Sequence, residues 1–154
     1  MNEIETLVAC EEIRKVKAIY FRAMDTKQWD LLDGIFTQDI ACDYRGALRS
    51  PDEPAAEDDD KDLVSGLAAV KDYIRTGLAP LISAHQGFMP EITVESDDSA
   101  SAIWAMTDHL LLPDSPVREI IGYGHYHETY RKIAGKWRIA TIRLTRLRVD
   151  FVSR

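Results

Sequence analysis

The first half of the chain has the apolar spacing of helices. Between residues 4 and 24, apolar side chains recur every three or four positions: Ile4, Leu7, Val8, Val16, Ile19, Tyr20 and Ala23. This spacing places them on one side of a long amphipathic helix. Similar spacing predicts a short helix over residues 27–36 and a third helix over residues 66–77. Residues 40–46, which end at a glycine, are predicted to form a short strand between these two helices.

From Ile82 onwards apolar and polar positions alternate, as is typical of strands. Turn-forming residues divide this half of the chain into five predicted strands: 82–89, 91–96, 100–112, 118–133 and 136–151. Helices followed by a long antiparallel meander predict an α+β fold, with three N-terminal helices on one face of a curved sheet. Such a sheet leaves a cone, and the open end of a cone can hold a small ligand.

Length and charge restrict the possible partners. The chain has 154 residues, so we treat 1–154 as a single domain. Its formal net charge of −7 disfavours binding to nucleic acid and to anionic membranes. No apolar run approaches the roughly 18 residues that span a bilayer. The acidic N-terminal segment does not resemble a signal peptide, and Cys10 and Cys42 are far apart, so we expect a cytoplasmic protein.

Two segments could be taken for metal sites. The acidic segment 50–62 (SPDEPAAEDDDKD) lacks the regular spacing and central glycine of a calcium loop, so we interpret it as a solvated loop. His125 and His127 share a strand face and could bind a metal, but no acid or cysteine follows at a suitable spacing. We therefore predict no metal and no other cofactor.

The strand predicted over residues 100–112 carries a candidate catalytic acid. Alternation places Asp108 on the same face as Trp104 and Met106, and His109 on the opposite face. Both faces are largely apolar, so we expect the strand to be buried on both sides. In an apolar cavity the pKa of Asp108 would be raised, which would make it a proton donor near neutral pH. An acid satisfied by backbone donors fits the same pattern equally well.

The last predicted strand has two rows of side chains. One row contains Ala140, Ile142, Leu144, Arg146 and Arg148. A core-facing arginine needs a carboxylate or a ligand oxygen, so Arg146 would bind either an acid or the substrate. The opposite row includes Trp137, Ile139, Leu147 and Val149. We expect these four side chains to face outwards and to be covered by another copy of the chain.

Asp25 and His85 are candidate acid–base groups. Asp25 falls where the first helix should end, and a carboxylate there meets the negative end of the helix dipole. It could cap the second helix, with Gln28 completing a capping box. Alternatively it could pair with His85, whose imidazole titrates near neutrality and could act as a base. In such a pair the carboxylate would fix the histidine tautomer and stabilise the imidazolium.

Three stretches together resemble a known family: YFRAMDTKQWDLL at 20–32, HQGFMPEITV at 85–94 and WAMTD at 104–108. With the ending GKWRIATIRLTR, they resemble the SnoaL-like members of the nuclear transport factor 2-like superfamily over about residues 10–150. Within that superfamily the pattern looks most like the bile acid 7α-dehydratases. The resemblance implies a cone-shaped α+β barrel that forms oligomers, with a trimer favoured over a dimer.

The resemblance also implies a site. Position by position, it places five residues in one pocket: Tyr20, Asp25, His85, Asp108 and Arg146. Scytalone dehydratase and hexachlorocyclohexane dehydrochlorinase, more distant relatives, use an Asp–His pair at the positions of Asp25 and His85. The shared chemistry is elimination without a cofactor.

We therefore expect a cofactor-independent lyase, specifically a dehydratase of a small, apolar, cyclic substrate that carries a carbonyl group. In this hypothesis His85 is the base and Asp25 orients it. Tyr20 and Asp108 donate hydrogen bonds or a proton. The substrate would also contact Arg146, Trp104 and Met106. A ketosteroid-isomerase-like enzyme and a non-catalytic protein, such as a ligand-binding domain or an oxygenase subunit, are the alternatives.

Overall fold

The helices lie in the first half of the chain. The computed structural model describes all 154 residues. Helix α1 (Glu3–Asp25) begins at a capping box, in which Asn2 and Glu5 exchange side-chain-to-backbone hydrogen bonds. A 3₁₀ helix (Trp29–Gly34) follows, and helix α2 (Leu67–Leu78) comes later. None of these helices is both long enough and apolar enough to cross a bilayer.

Six strands form one sheet: β1 (Phe36–Asp43), β2 (Leu63–Ser65), β3 (Ile82–Val94), β4 (Ser99–Leu111), β5 (Val117–Ile133) and β6 (Lys136–Ser153). Their order in the sheet is β2-β1-β6-β5-β4-β3. Only β1 and β6 pair in parallel, and every other neighbouring pair is antiparallel. The predicted α+β fold, with helices packed on a mainly antiparallel sheet, is confirmed.

The main core lies between the helices and one face of the sheet. The inward side of α1 buries residues that include Ile13, Tyr20 and Met24, and these pack with buried side chains of β1, β4, β5 and β6. Ile4 and Leu7 belong to the predicted apolar side of α1, but both are largely exposed. The first two turns of α1 therefore extend beyond the core.

Two predicted elements have different boundaries in the structure. The second helix, predicted over residues 27–36, is only the 3₁₀ helix named above. Lys27 has a φ of 60°, and this left-handed residue interrupts the helical backbone just after α1. The strand predicted over residues 40–46 begins at Phe36 and ends at Asp43, because a turn containing Gly46, with a φ of 74°, follows it.

The predicted strands 82–89 and 91–96 are a single strand, β3. Its pairing with β4 shifts register between Phe88 and Glu91, where Met89 has a positive φ and Pro90 has no N–H to donate. Alternation of apolar residues could not distinguish this bulge from a turn. The end of the acidic segment is also more regular than expected, because residues 59–62 form a 3₁₀ turn that leads into β2.

Two register shifts in β6 reverse the expected facing of several side chains. Thr129 pairs with Thr141 but Tyr130 pairs with Ile139, so β6 contains one extra residue between those two positions. A second extra residue, Leu147, lies between the partners of Tyr123 and Gly124. Each bulge switches the side of the sheet to which the following side chains point.

The prediction of an outward apolar row on β6 is therefore wrong. Trp137, Ile139 and Val149 are buried, and only Leu147 is exposed. Arg148, which was expected to follow Arg146 on the inner face, is 69% exposed. The face of the sheet away from the helices instead has a groove lined mainly by polar residues, which include Thr129, Thr141 and Arg143. Self-association remains a prediction that no longer has this apolar row as its support.

Candidate active site

Asp25 and His85 are in direct contact. Asp25 is the last residue of α1, and His85 lies near the start of β3. Oδ1 of Asp25 lies 2.6 Å from Nδ1 of His85, and Oδ2 accepts a 2.7 Å hydrogen bond from the backbone N–H of His85. The N-cap of the 3₁₀ helix is Gln28, which makes no side-chain capping bond. The interpretation of Asp25 as a helix cap is therefore wrong.

Hydrogen bonding keeps Asp25 ionised at the end of its helix. Ser83, two residues before His85 and on the same face of β3, donates a third hydrogen bond of 2.9 Å to Oδ1 of Asp25. Burial alone would raise the pKa of Asp25, but the hydrogen bonds from His85 and Ser83 and the charge interaction with His85 lower it below its usual range. These donors offset the unfavourable end of the helix dipole.

The His85 ring is fixed on its flank by an aromatic side chain. Phe21, one turn before Asp25 on α1, stacks on the imidazole with ring centroids 6.3 Å apart and planes 12° from parallel. Gly87 makes room for the phenyl ring of Phe21, because a Cβ at position 87 would come within 2.7 Å of that ring. The side chain of His85 is only 5% exposed. Packing and hydrogen bonding therefore restrict the ring to one orientation.

Asp108 and Arg146 form a buried, bidentate ion pair. The two Nη atoms of Arg146 donate to the two oxygens of Asp108 over 2.8 and 2.9 Å, and both side chains are almost fully buried. Nε of Arg146 donates to the carbonyl of Ala47 over 2.7 Å. Gly122 of β5 lies directly against the pair, since a Cβ there would come within 2.1 Å of Asp108 and 2.3 Å of Arg146.

This ion pair corrects the expected role of Asp108. A carboxyl group whose two oxygens both accept from a guanidinium is ionised and has no proton to donate. The proton-donor interpretation and the alternative of backbone donors are both contradicted, whereas the ion-pair interpretation of Arg146 is confirmed. Oδ2 of Asp108 also lies 3.9 Å from Nε2 of His85. The imidazole therefore has a carboxylate at each of its two nitrogens, in contact on one side and more distant on the other.

Tyrosine hydroxyls supply neutral donors in the same region. The hydroxyls of Tyr20 and Tyr44 lie 3.0 Å apart, and both side chains are buried. Burial raises the pKa of each well above its usual value, and it also raises the pKa of Tyr126. All three phenols therefore stay protonated in the physiological range and can donate hydrogen bonds.

These groups line a cavity of about 730 Å³ that is mostly apolar. The polar residues His85, Asp108 and Arg146 occur with these three tyrosines, and a fourth tyrosine, Tyr73, lines the cavity together with Lys61 and Asp72. The rest of the lining is largely apolar and includes Met24, Leu48, Leu63, Val64, Ile74, Leu78, Leu81, Leu110 and Leu144. A cavity of this volume accommodates a small cyclic molecule.

Trp104 and Met106 do not line this cavity, contrary to the prediction. Trp104 is buried in the core, where its Nε1 donates to the hydroxyl of Tyr130 over 3.0 Å. Met106 is also buried, and its sulfur lies 3.4 Å from an Nη atom of Arg146. Both residues share the face of Asp108, as predicted, but they support the site from the core and do not contact the open space.

The other histidines lie outside the cavity. His109 is on the opposite face of β4 from Asp108, as predicted, and it is exposed near Glu119. That face of β4 is also more exposed than expected. His127 contacts the hydroxyl of Thr145 over 3.0 Å, and His125 lies beside it. No group of three His, Cys, Asp or Glu side chains in the structure is arranged to hold a metal ion.

Sequence reasoning missed several residues of the site. Ser83 holds Asp25, Tyr44 and Tyr126 contribute hydroxyls, and Gly122 makes space for the ion pair. The S-x-H spacing of Ser83 and His85 could have indicated a shared strand face. Nothing in the sequence links Gly122 to Asp108 and Arg146, because their proximity depends on the register of three strands.

Comparisons with known proteins agree with this architecture. A probable cyclase from Gibberella zeae is 27% identical over 139 residues, which cover 88% of this chain and 89% of that protein. A scytalone dehydratase candidate from Novosphingobium aromaticivorans superposes with a TM-score of 0.79 at 18% identity, over 97% of this chain and 91% of that chain. Hexachlorocyclohexane dehydrochlorinase type 3 from Novosphingobium barchaimii gives a TM-score of 0.77 at 13% identity, over 98% of this chain and 94% of that chain.

The structural neighbours are too distant in sequence to show more than a shared fold. The closer likeness to bile acid dehydratases stays a prediction. The profile of the SnoaL-like domain family matches residues 5–143, which is most of the chain. The chain therefore belongs to the SnoaL-like domain family and has the nuclear transport factor 2-like fold of that family.

Proposed function

We propose that the protein is a cofactor-independent lyase, a dehydratase in which His85 is the general base. The observation that carries this proposal is the 2.6 Å contact between Nδ1 of His85 and the ionised Asp25, at the wall of an open, apolar cavity. A carboxylate at Nδ1 favours the tautomer with its proton on Nδ1, which leaves the lone pair on Nε2 available as a base.

The elimination would use one proton-transfer group twice. Nε2 of His85 removes a proton from the carbon next to a substrate carbonyl, and the C–H electrons form an enolate. The tyrosine hydroxyls at the cavity wall can donate hydrogen bonds to the enolate oxygen. The enolate then expels a hydroxyl from the next carbon, and the His85 imidazolium returns its proton, so that water leaves and the neutral imidazole is restored.

The ion pair between Asp108 and Arg146 would support this step without taking part in proton transfer. Asp108 is 3.9 Å from Nε2 of His85, so its negative charge stabilises the imidazolium as that cation forms. Arg146 already donates to Asp108, Ala47 and Met106. Because the N–H donors of Arg146 are largely occupied, few remain to bind an anionic substrate. We therefore propose that the substrate is neutral.

The relatives support elimination as the class of reaction. Two structural neighbours have names that specify a dehydratase and a dehydrochlorinase, and both names describe the loss of a small molecule from an organic substrate. The non-catalytic alternative would be favoured by an Asp25 carboxylate out of reach of His85 or by a cavity filled with side chains. The 2.6 Å contact and the cavity of about 730 Å³ count against both conditions.

The test is a screen of neutral cyclic β-hydroxyketones with mass-spectrometric detection of products. We expect one substrate at least to lose the mass of one water, and we expect His85→Gln and Asp25→Asn to abolish that loss without unfolding the protein. His109→Gln is the matched control, because His109 is exposed on the other face of β4. Rearranged products of unchanged mass would identify an isomerase instead. Full turnover by His85→Gln would refute the assignment of the base.

A further inference from the structure

Lys27 adopts a backbone conformation that its residue type disfavours. It is the second residue after α1, and its φ of 60° lies in the left-handed region, where glycine is usual and other residues carry a cost of about 1 kcal/mol. Its side chain returns towards the helix end, where Nζ contacts the hydroxyl of Ser83 over 3.0 Å and lies over the ring of Trp29 at 5.8 Å. The ammonium group of Lys27 is therefore one hydrogen-bonded residue, Ser83, away from Asp25.

The contact with Lys27 determines which way the Ser83 hydroxyl points. A lysine ammonium has only donors, so the oxygen of Ser83 must accept from Nζ of Lys27. The hydroxyl proton of Ser83 is then directed to its other neighbour, Oδ1 of Asp25, over 2.9 Å. Without the lysine the hydroxyl could rotate, because a serine oxygen can both donate and accept.

We propose that Lys27 and Ser83 are positioning residues that set the tautomer of His85. The proposal rests on the proposed function only in giving His85 the role of base. The ammonium of Lys27 orients the hydroxyl of Ser83, and this hydroxyl helps to keep Asp25 an ionised acceptor. Asp25 in turn holds the proton of the neutral imidazole on Nδ1. The hydrogen bonds thus form a chain from Lys27 through Ser83 and Asp25 to His85, and the direction of each bond follows from the one before it. The chain begins at a group that can only donate and leaves the lone pair of His85 on Nε2.

The test observes the imidazole and the carboxylate directly and needs no substrate. In protein with ¹⁵N-labelled histidine, long-range proton–nitrogen spectra report which ring nitrogen carries the proton, and the spectrum of His85→Gln identifies the signals of His85. The ¹³C signals of the side-chain carboxyl carbons of labelled aspartate report the titration of Asp25. The spectrum of Asp25→Asn identifies the signal of Asp25. The variants are Ser83→Ala and Lys27→Gly, and Ser83→Thr keeps the hydroxyl.

We expect wild-type His85 to carry its proton on Nδ1 when neutral. Ser83→Ala and Lys27→Gly should both raise the pKa of Asp25 and increase the share of the tautomer with the proton on Nε2. Ser83→Thr should behave like the wild type. Lys27→Gly should keep or raise the melting temperature, because glycine adopts a φ of 60° readily. A change in the spectra without a loss of stability separates positioning from a general structural role.

Two matched controls remove comparable contacts elsewhere. Ser101→Ala removes an exposed hydroxyl that donates to Glu95 over 2.9 Å, and Lys71→Met removes an exposed ion pair with Asp33. Both should leave the His85 signals unchanged. If Lys27→Gly leaves both the tautomer and the pKa of Asp25 at their wild-type values, the positioning role is refuted and the Asp25–His85 pair stands. If wild-type His85 carries its proton on Nε2, the proposed base itself is refuted.

Discussion

Substitution of either partner in a second buried ion pair, that of Lys17 and Glu128, should strongly destabilise the fold. Lys17 of α1 and Glu128 of β5 contact each other with side-chain exposures of 1% and 0%. Glu128 also accepts from the hydroxyl of Tyr130. The ammonium of Lys17 lies 3.6 Å from the ring centroid of Tyr126 and 4.1 Å from that of Tyr20. Each charge thus has its partners within the core and no access to water.

Removal of one partner should be costly, and removal of both should be much less so. Lys17→Met leaves the Glu128 carboxylate buried without a cation, and Glu128→Gln leaves the ammonium without an anion. A buried charge deprived of its partner costs about 3–5 kcal/mol. For a domain of this size, that loss lowers the melting temperature by about 6–20 °C. In the double variant neither charge remains, so we expect a loss within about 2 kcal/mol of the wild type.

Urea unfolding of the wild type, the two single variants and the double variant completes a double-mutant cycle. We expect the double variant to be more stable than either single variant, with an interaction free energy of at least about 2 kcal/mol. If the effects of the two single substitutions simply add, Lys17 and Glu128 do not stabilise each other and the reasoning fails.

The pH dependence of stability gives a second readout from the same residue. Burial lowers the pKa of Lys17 from 10.5 to about 8, although Glu128 opposes this change. The folded state then binds fewer protons than the unfolded state between those two pH values, so this residue makes the free energy of unfolding rise with pH across that window. Lys17→Met should remove this rise. If the free energy of unfolding of the wild type and of Lys17→Met changes in parallel with pH, the lowered pKa of Lys17 is contradicted.

Three further variants test the site. Gly122→Ala should displace the ion pair of Asp108 and Arg146 and abolish activity, whereas Gly34→Ala, with open space around its Cβ, should have little effect in the same turnover assay. Asp108→Asn should cost about 3–5 kcal/mol in urea unfolding, because it leaves Arg146 buried without an anion, and a loss below about 1 kcal/mol would contradict this. Asp25 has a lowered pKa, so its ionised form should stabilise the fold above its usual pKa of 3.8. The stability difference between wild type and Asp25→Asn should therefore shrink as the pH falls below 3.8 in acid titrations monitored by circular dichroism, and a constant difference would refute it.

Periodicity predicted the parts of this fold that follow local rules. The long helix, the change to strand alternation after Ile82 and the facing of Asp108 all follow from the spacing of apolar residues, because one buried face imposes a regular repeat. The placement of Arg146 on the inner row was likewise correct. The repeat fails where the backbone itself changes register, and for this reason the facing of Trp137 and Arg148 was wrong.

The pairing of groups within the site depends on distant parts of the chain. Apolar rows predicted that Asp108 and Arg146 face inwards, but not that every oxygen of the acid is occupied by the arginine. For Asp25 the residues alone left two interpretations, a helix cap, which they favoured, and a pair with His85, whereas the family resemblance implied the pair. The spacing of residues gave no indication of a role for Lys27, because its position depends on a backbone angle that its residue type does not favour.

The parallel pairing of β1 with β6 has a consequence for how the molecule can be made. Ala41 of β1 pairs with Thr141 of β6, so one edge of β1, the edge away from β2, stays unpaired until β6 has been made. During synthesis α1 and β1 leave the ribosome well before β6, which carries Arg146. The β3–β4 hairpin, which carries His85 and Asp108, can form earlier from local contacts. The cavity is therefore closed only after β6 has emerged, and a nascent chain stopped before β6 should expose its apolar lining to chaperones.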